Sequence, residues 1–391
     1  MTPNHAQHRR AQRVPRWAVV LGATVVLAAG GAAAGLLLTR APTHRAGAGA
    51  SQRDRPTTTI PLTTTTPPKN PVTIAAVGDT ELGDTPDLPP DPSLYLQPVE
   101  SALSAQVVFG NLEGTLTDAT GSKCAATSTD CFAFRTPPTY AAVLKQAGFT
   151  VLNSANNHSH DFGAQGVADT SAALQLAGIT QTGLPGEIGI VTVGTTRVAF
   201  VAFAPYSNVN NMLDFATAKG LIAQARSEAD LVVVYMHAGA EGSAADHVTG
   251  AEETYVGEDR GNAKAFAHAA IDDGADLVIA SGPHVLRGME FYNRHLIDYS
   301  MGDFASYNDY SASGDLDLSG ILKVTLDPNT GFVSGQFISV VLTAAGRPSV
   351  DPSGTAATFV NHLSAADFGP DAATILANGT ISPPAGAAPP G

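Results

Sequence analysis

The sequence predicts an α/β fold with mixed sheets, and two patterns between Pro71 and about Val341 predict it. Apolar, β-rich runs such as 72–77 and 106–111 alternate with helix-like segments such as 136–149 and 166–178. Strands that alternate with helices favour parallel pairing. Two hairpins follow, with turns at 293–294 and 328–331, and they add antiparallel strands. The expected product is a sandwich of helices and mixed sheets.

Composition supports a sizeable folded body and argues against one class of partner. The chain has 391 residues, of which 44% are apolar, so a large core can form. The formal net charge is −14. Because nucleic-acid binding requires a basic surface, we expect no nucleic-acid partner.

The N-terminus predicts a membrane anchor. Four arginines in the basic segment 1–16 precede an uncharged apolar run at 17–38. This run is long enough to cross a hydrocarbon layer of about 30 Å, and the arginines favour a cytoplasmic N-terminus. A cleavable signal peptide is the alternative, although the run is longer than a usual signal segment. Both interpretations place the body outside the cytoplasmic membrane, and the anchor predicts a single-pass protein of the cell membrane.

Segments on either side of the predicted body, 72–345, have the composition of loosely ordered chain. Residues 39–71 are rich in Thr and Pro without apolar periodicity, which predicts a disordered or extended linker. Residues 346–391 are rich in Pro, Gly and Ala, and we expect a loosely ordered tail there.

Two cysteines, Cys124 and Cys131, are the complete set in the sequence. Outside the cytoplasm such a close pair is expected to form a disulfide. A metal site built on the pair is the alternative, but neither a third Cys nor a His lies nearby.

Polar side chains gather where the predicted strands end. They follow five separate strands: Asp79 and Glu81; Asn111 and Glu113; Asn156, Asn157, His158 and Asp161; His237 and Glu241; His284. Sites in open α/β sheets form outside the carboxyl ends of the strands. Carboxylate, amide and imidazole groups together suit Mn, Zn or Fe. The pattern predicts a centre for one or two divalent ions, although each residue alone could be a turn, cap or solvated residue.

Two common catalytic motifs are absent from the sequence. It contains no Gly-x-Ser-x-Gly elbow and no Gly-x-x-x-x-Gly-Lys phosphate loop. A serine hydrolase or a P-loop nucleotide-binding protein is therefore disfavoured.

Several of these blocks together carry a family resemblance. The stretches "GDTELG", "GNLEGTLT", "NSANNHSHDFG", "HAGAEG" and "DYSMGDF" lie between about 72 and 307. In order and spacing they resemble the CapA family of capsule and poly-γ-glutamate synthesis proteins, which looks like a divergent branch of the calcineurin-like metallophosphoesterases. The resemblance implies a four-layer αββα sandwich with two mixed sheets.

The resemblance also implies roles for individual residues. Glu113 matches the position that bridges two ions, and His158 would be a general acid that Asp161 orients. Gly282 stands where many relatives carry a His, which leaves open whether the centre holds two ions, one or none. Arg135 is a candidate clamp for an anion, with a surface salt bridge as the alternative. The metal ligands that the resemblance implies are Asp79, Glu81, Glu113, Asn157, His237 and His284. The residues that we consider candidates for substrate binding are Arg135, Asn111, Asn156 and Glu241.

Two functions are consistent with these observations. The first is a membrane-anchored, metal-dependent hydrolase or transferase that acts on poly-γ-glutamate, a glycan or another cell-envelope polymer. The second is a non-catalytic factor that binds the polymer and assists its export or assembly beside the subunits of a membrane synthase. Metal content and turnover distinguish the two.

Overall fold

The structure is a computed structural model that describes residues 68–125, 127–128, 131–308 and 313–384. The predicted cytoplasmic segment 1–16, the predicted anchor 17–38 and most of the linker lie outside these residues. Within the described ranges, none of the helices combines the length and the apolar character that crossing a bilayer requires.

The described residues form strands and helices in the alternating order that the sequence predicts. The strands are β1 (Val72–Glu81), β2 (Val107–Leu112), β3 (Thr115–Leu116), β4 (Arg135–Thr136), β5 (Val151–Asn153), β6 (Thr180–Thr182), β7 (Gly189–Val193), β8 (Thr196–Phe203), β9 (Leu231–His237), β10 (Glu253–Tyr255), β11 (Glu258–Gly261), β12 (Leu277–Ser281), β13 (Met289–Tyr292), β14 (His295–Asp298), β15 (Asp303–Ser306), β16 (Leu318–Asp327), β17 (Gly331–Thr343), β18 (Arg347–Val350), β19 (Thr374–Ile375) and β20 (Thr380–Ser382). The helices are α1 (Glu100–Leu103), α2 (Tyr140–Gln146), α3 (Gly163–Ala177), α4 (Phe215–Glu228), α5 (Ala263–Asp272) and α6 (Thr355–Phe368).

Two large mixed sheets organise these elements. The first has the order β19-β20-β17-β16-β1-β2-β5-β6, with β15 parallel to β1 and β18 beside β17. The second has the order β13-β14-β12-β9-β8-β7. The β1-β2-β5-β6 and β8-β9-β12-β14 pairs are parallel, and the hairpins β13-β14 and β16-β17 are antiparallel. The predicted α/β fold with mixed sheets is confirmed.

Alternating side chains of β1 pack on opposite faces of the first sheet. Ile74 and Ala76 belong to a buried cluster that also contains residues of the second sheet such as Phe200. Ala75 and Val77 belong to another cluster, which includes residues of α2 and α3. The period of two is the one that a strand imposes. The first sheet is therefore covered by the second sheet on one face and by helices on the other.

The second sheet repeats this arrangement. Val232 and Val234 of β9 pack in a third cluster with Ile222 of α4 and Phe266 of α5. Both sheets of the described part therefore carry helices on their outer faces and share one core between them.

The prediction of a loosely ordered tail is wrong for residues 346–384. This segment contains β18, α6, β19 and β20, and three of these are strands of the first sheet. The buried positions of α6 include Ala356, Val360, Leu363 and Phe368, which follow a helical period. Many of the residues that build this helix are small, so its composition resembles that of an unstructured tail.

The predicted linker also ends earlier than expected. Lys69 donates from Nζ to the carbonyl oxygen of Thr195 at 2.7 Å and pairs with Asp230 at 2.9 Å. Residues 68–71 thus belong to the folded body. In a loop between β3 and β4, Cys124 and Cys131 are joined by a disulfide, with their Cα atoms 5.6 Å apart.

Candidate metal centre

The end of β1 lies at the centre of the site. The sequence predicts that Asp79 follows this strand, but β1 continues to Glu81 because β15 and β2 both pair with its last residues. The Asp79 side chain is buried, and its Oδ1 accepts hydrogen bonds from Asn111 Nδ2 at 2.7 Å and from Ser281 Oγ. Gly282 donates its backbone N–H to Oδ2 at 3.3 Å. These donors fix the carboxylate in one orientation.

Asn111 at the end of β2 connects the polar groups of three strands. Its Nδ2 donates to Asp79 and to Glu113, and its Oδ1 accepts from Asn153 at 2.6 Å and from Asn156 at 2.9 Å. Asn156 also donates to the carbonyl oxygen at the end of β2 and accepts from the N–H of the residue two positions later. These internal partners favour a positioning role for Asn111 and Asn156 over the predicted substrate-binding role.

A first group of ligand atoms consists of Asp79, Glu113 and His237, which lie within 4.8 Å of one another. Glu113 Oε1 is 3.7 Å from His237 Nε2, and His237 Nδ1 is 3.9 Å from Asp79 Oδ1. Among the described residues, neither Glu113 Oε1 nor His237 Nε2 has a hydrogen-bond partner, although both atoms are buried. An unpaired buried polar atom is costly, and a divalent cation would satisfy both at once. This first group therefore fits a metal ion.

A second group consists of Asp79, His284 and Asp303. His284 Nδ1 is 2.7 Å from Asp303 Oδ1 and 3.2 Å from Asp79 Oδ2. Asp79 is common to both groups, whereas the resemblance implies Glu113 as the bridging residue. Asp303 is not among the residues predicted from the sequence, although it lies in the stretch "DYSMGDF" that carries the resemblance. Parallel pairing of β15 with β1 places Asp303 opposite Asp79.

Burial and the neighbouring charges raise the pKa values of Glu113 and His284 and lower the pKa of His237. Burial, together with the Asp79 carboxylate, raises the pKa of Glu113 well above its usual range. Burial lowers the pKa of His237 to about 3, so its imidazole is neutral, as a metal ligand must be. Burial opposes protonation of His284, but Asp303 and Asp79 outweigh it and raise the pKa of His284 well above its usual range.

His158 approaches the first group from the loop after β5. Its Nδ1 is 2.8 Å from Asp161 Oδ2, and its Nε2 is 3.9 Å from Glu113 Oε1. Asp161 is held in turn by the backbone N–H of Phe134 at 2.6 Å and by Lys123 Nζ at 2.6 Å. Burial lowers the pKa of His158 despite the nearby Asp161 carboxylate. The arrangement is the one predicted for an imidazole that a carboxylate orients.

Two predicted ligands lie outside both groups. Glu81 is buried and lines a small pocket together with Glu113 and Arg135, but it belongs to neither group among the described residues. Asn157 is half-buried, and its Oδ1 is a buried atom without a hydrogen-bond partner in the described ranges. Asn157 thus offers an oxygen, while Glu81 offers a carboxylate at the adjacent pocket.

The predicted substrate residues Arg135 and Glu241 have protein partners. The Arg135 guanidinium donates from Nη1 to the carbonyl oxygens of Asp118 and Ala119 and lies 5.1 Å from the centre of the Phe162 ring. Glu241 Oε1 is 2.9 Å from Nη1 of Arg260, a buried residue that the sequence motifs did not indicate. Arg135 therefore binds two backbone carbonyl oxygens, whereas the sequence predicts either a clamp for a substrate anion or a surface salt bridge.

Gly282 allows the close approach of two elements. A Cβ atom there would lie 3.2 Å from ring carbons of His237 and 3.1 Å from the backbone nitrogen of Ala238, and its φ is +114°. A larger side chain would therefore press on the His237 ring and would require an unfavourable backbone. The neighbouring Ser281, also not predicted from the sequence, donates to Asp79 and contacts the Tyr235 hydroxyl at 2.5 Å.

Comparison with known proteins agrees with the sequence resemblance. The family model described as bacterial capsule synthesis protein PGA_cap matches residues 73–308. The chain is 32% identical to the PGA biosynthesis protein CapA of Bacillus subtilis over 54% of this chain and 55% of that protein. It is 34% identical to the capsule biosynthesis protein CapA of Bacillus anthracis over 41% of each chain. The matches therefore span about half the length of these relatives.

Among solved structures, the chain matches that of a 5′-nucleotidase precursor from Thermus thermophilus. It has 13% sequence identity and a TM-score of 0.37, and the match covers 72% of this chain and 56% of that one.

Proposed function

Because the chain belongs to the family of bacterial capsule synthesis proteins, we propose that it is a metal-dependent hydrolase or transferase of capsule or poly-γ-glutamate synthesis. The names of its Bacillus relatives support the link to poly-γ-glutamate and capsule. The substrate of the proposed reaction is a poly-γ-glutamate chain or another polymer of the cell envelope.

One observation carries the proposal of metal dependence. Glu113 Oε1 and His237 Nε2 lie 3.7 Å apart, buried and without hydrogen-bond partners among the described residues. Two such atoms beside the Asp79 carboxylate suit a divalent cation such as Mn, Zn or Fe. When bound, the ion supplies a Lewis acid that polarises the scissile group and lowers the pKa of water. Asp79, Glu113 and His237 would hold it, and His284 with Asp303 would hold a second ion.

His158 is the proton donor of the proposed reaction. Asp161 holds its Nδ1, so Nε2 is the nitrogen that faces Glu113 and the first group. The Nε2 proton passes to the oxygen or nitrogen that leaves, and Asp161 stabilises the orientation of the ring throughout. Burial lowers the pKa of His158, so the fraction that carries this proton increases as the pH falls toward that pKa.

The proposed location follows from the sequence outside the described residues. The run 17–38 anchors the chain in the cell membrane, and the folded body lies on the extracytoplasmic side. There it is close to newly made polymer and to the subunits of a membrane synthase. Protease accessibility of the folded body in intact cells tests this location, and a body protected from external protease would contradict it.

Elemental analysis of the purified full chain tests the proposed function. We expect about one or two equivalents of Mn, Zn or Fe. We also expect the release of shortened chains from poly-γ-glutamate, or of the free chromogenic alcohol and phosphate from a chromogenic phosphate ester. The variant His237→Asn should lose both the metal and the turnover. Metal-free protein that binds polymer and pulls down synthase subunits without turnover would instead support a non-catalytic assembly factor.

A further inference from the structure

Two buried arginines near the candidate metal centre use their donors differently. Arg287 is fully buried, and all three of its side-chain nitrogens donate: Nη1 and Nη2 to Glu253 at 2.9 and 2.7 Å, and Nε to the carbonyl oxygen of Ala245 at 2.7 Å. Arg260 is 1% exposed, but only Nη1 has a close partner, Glu241 Oε1 at 2.9 Å. Nε and Nη2 of Arg260 are buried without a hydrogen-bond partner in the described residues.

The two unpaired nitrogens of Arg260 form one edge of the guanidinium group. Nε–H and one Nη2–H point in parallel from that edge, and this pair matches the two oxygens of a carboxylate or phosphate. Leaving such charged donors buried and unpaired costs free energy that a bound oxyanion would recover. The Nε and Nη2 groups of Arg260 are therefore both available to donate hydrogen bonds to one oxyanion.

The backbone holds Arg260 beside the candidate metal centre. Arg260 lies in β11, and its carbonyl oxygen accepts from Gly239 N at 3.0 Å, two residues after His237. Glu241, its ion-pair partner, has its second oxygen 3.9 Å from His284 Nε2. Burial opposes the charge of Arg260, yet Tyr206, Glu241 and Glu113 outweigh burial and raise its pKa. The guanidinium thus stays charged next to the ligand groups.

The Arg287–Glu253 pair makes this placement rigid. Glu253 lies in β10, the partner strand of β11, and its Oε2 also accepts from Ala240 N at 2.9 Å. The same pair therefore ties the β10-β11 hairpin to the loop that follows His237. A preorganised guanidinium binds an anion without a further ordering cost.

The surface side of Arg260 is covered by an exposed carboxylate. Glu258, whose side chain is 57% exposed, lies 3.8 Å from Arg260 Nη1 and accepts a hydrogen bond from the Tyr206 hydroxyl at 3.1 Å. An exposed glutamate is easily displaced, because its ion pair is screened by solvent. Displacing Glu258 therefore opens the guanidinium at Nη1, the nitrogen next to the unpaired Nη2.

From these contacts we infer that Arg260 binds the anionic group of the substrate, a carboxylate or a phosphate, through its Nε and Nη2 edge. The inference rests on the proposed function, which it refines by naming the chemical class that the site recognises. A γ-linked glutamate unit and a phosphorylated glycan both supply such an oxyanion, so the experiment must separate them.

Calorimetric titration of the full chain with inorganic phosphate and, separately, with glutarate makes this separation. We expect the wild-type protein to bind one of the two, and Arg260→Gln to weaken that binding by about 10- to 100-fold. Arg260→Lys keeps the charge but lacks the planar fork, so it should recover little of the loss. Glu258→Ala removes a competing carboxylate and should bind the anion at least as tightly as the wild type.

Three controls keep the inference falsifiable. Arg197→Gln, at an exposed position of β8, should bind like the wild type, and thermal unfolding should show that every variant is folded. Elemental analysis separates this inference from the proposed function, because Arg260→Gln should keep the wild-type metal content. Equal anion affinity in the wild type and Arg260→Gln, or wild-type protein that binds neither anion with or without metal, would overturn the inference.

Discussion

The two ligand groups share Asp79 but differ in how they satisfy their own polar atoms. In the second group, His284 is bonded to Asp303 at 2.7 Å and to Asp79 at 3.2 Å, so an ion pair already neutralises it. In the first group, Glu113 and His237 face each other at 3.7 Å without a hydrogen bond. A cation relieves an unfavourable arrangement in the first group but must break a favourable one in the second. The first group is therefore expected to bind an ion more tightly.

The largest expected effect is the loss of the ion from the first group in His237→Asn. Asn keeps a polar side chain but is shorter than His, so it cannot place a nitrogen at the Nε2 position. The ion affinity should fall by more than the roughly 10- to 100-fold that loss of an outer hydrogen-bond partner costs. Competition with a fluorescent chelator measures it, and unchanged affinity would exclude His237 as a ligand.

A second large effect separates proton donation from metal binding. His158→Ala should reduce kcat by about 100- to 10,000-fold, because it removes the proposed general acid. Its metal content should remain that of the wild type, since His158 belongs to neither group. His362→Ala, at an exposed position of α6, is the matched control. A His158→Ala protein with wild-type kcat would remove His158 from the mechanism.

A smaller effect is expected in the second group. Asp303→Asn keeps the shape of the side chain but removes the negative charge that pairs with His284. We expect about 10-fold weaker binding of a second ion and little change at the first group. The same competition assay, compared with His237→Asn, checks this order. A greater loss of metal in Asp303→Asn than in His237→Asn would reverse the comparison.

The last effect is on stability rather than on ion binding, and it concerns a buried carboxyl group outside both ligand groups. Burial raises the pKa of Asp298 to about 8 from its ordinary value of 3.8. The folded state therefore holds a proton that the unfolded state loses, so the stabilisation is present below pH 3.8 and is lost as the pH rises toward 8. Its contribution falls by about 1 kcal/mol per pH unit in that window. Asp298→Asn should remove this pH dependence, as measured by urea unfolding between about pH 5 and 8. If the free energy of unfolding changed with pH equally in the variant and the wild type, the raised pKa of Asp298 would be contradicted.

The parts of the site that local patterns could predict are the ends of parallel strands. Asp79 and Glu113 lie near the ends of parallel strands of the first sheet, and His237 and His284 lie at or after the ends of parallel strands of the second. Parallel pairing brings the ends together within each sheet, and the packing of the two sheets brings the two pairs of residues together. Asp303 could not be found this way. The position of Asp303 in the site depends on the pairing of β15 with β1. These strands are far apart in the sequence, so local spacing does not predict that they pair.

Two further errors of the sequence-based prediction, the missed Arg260 and the predicted loose tail, also arise because tertiary packing is not visible in local sequence. Arg260 lies in a short hairpin of mostly polar residues, and nothing in its local sequence indicates that the side chain is buried. The helix α6 buries many small side chains, so its Ala-rich composition resembles loose chain, and only the packing of Val360 and Leu363 in the fold distinguishes it. Composition reports what a segment can do alone, while packing decides what it does in the fold.

Anomalous diffraction from crystals of the metal-loaded protein, recorded at the Mn, Fe and Zn absorption edges, tests the central claim most directly. We expect a strong peak bonded to Asp79, Glu113 Oε1 and His237 Nε2, and a weaker peak or none at His284 and Asp303. A peak only at the second group, or a structure in which Glu113 and His237 bind each other through water without an ion, would contradict the account.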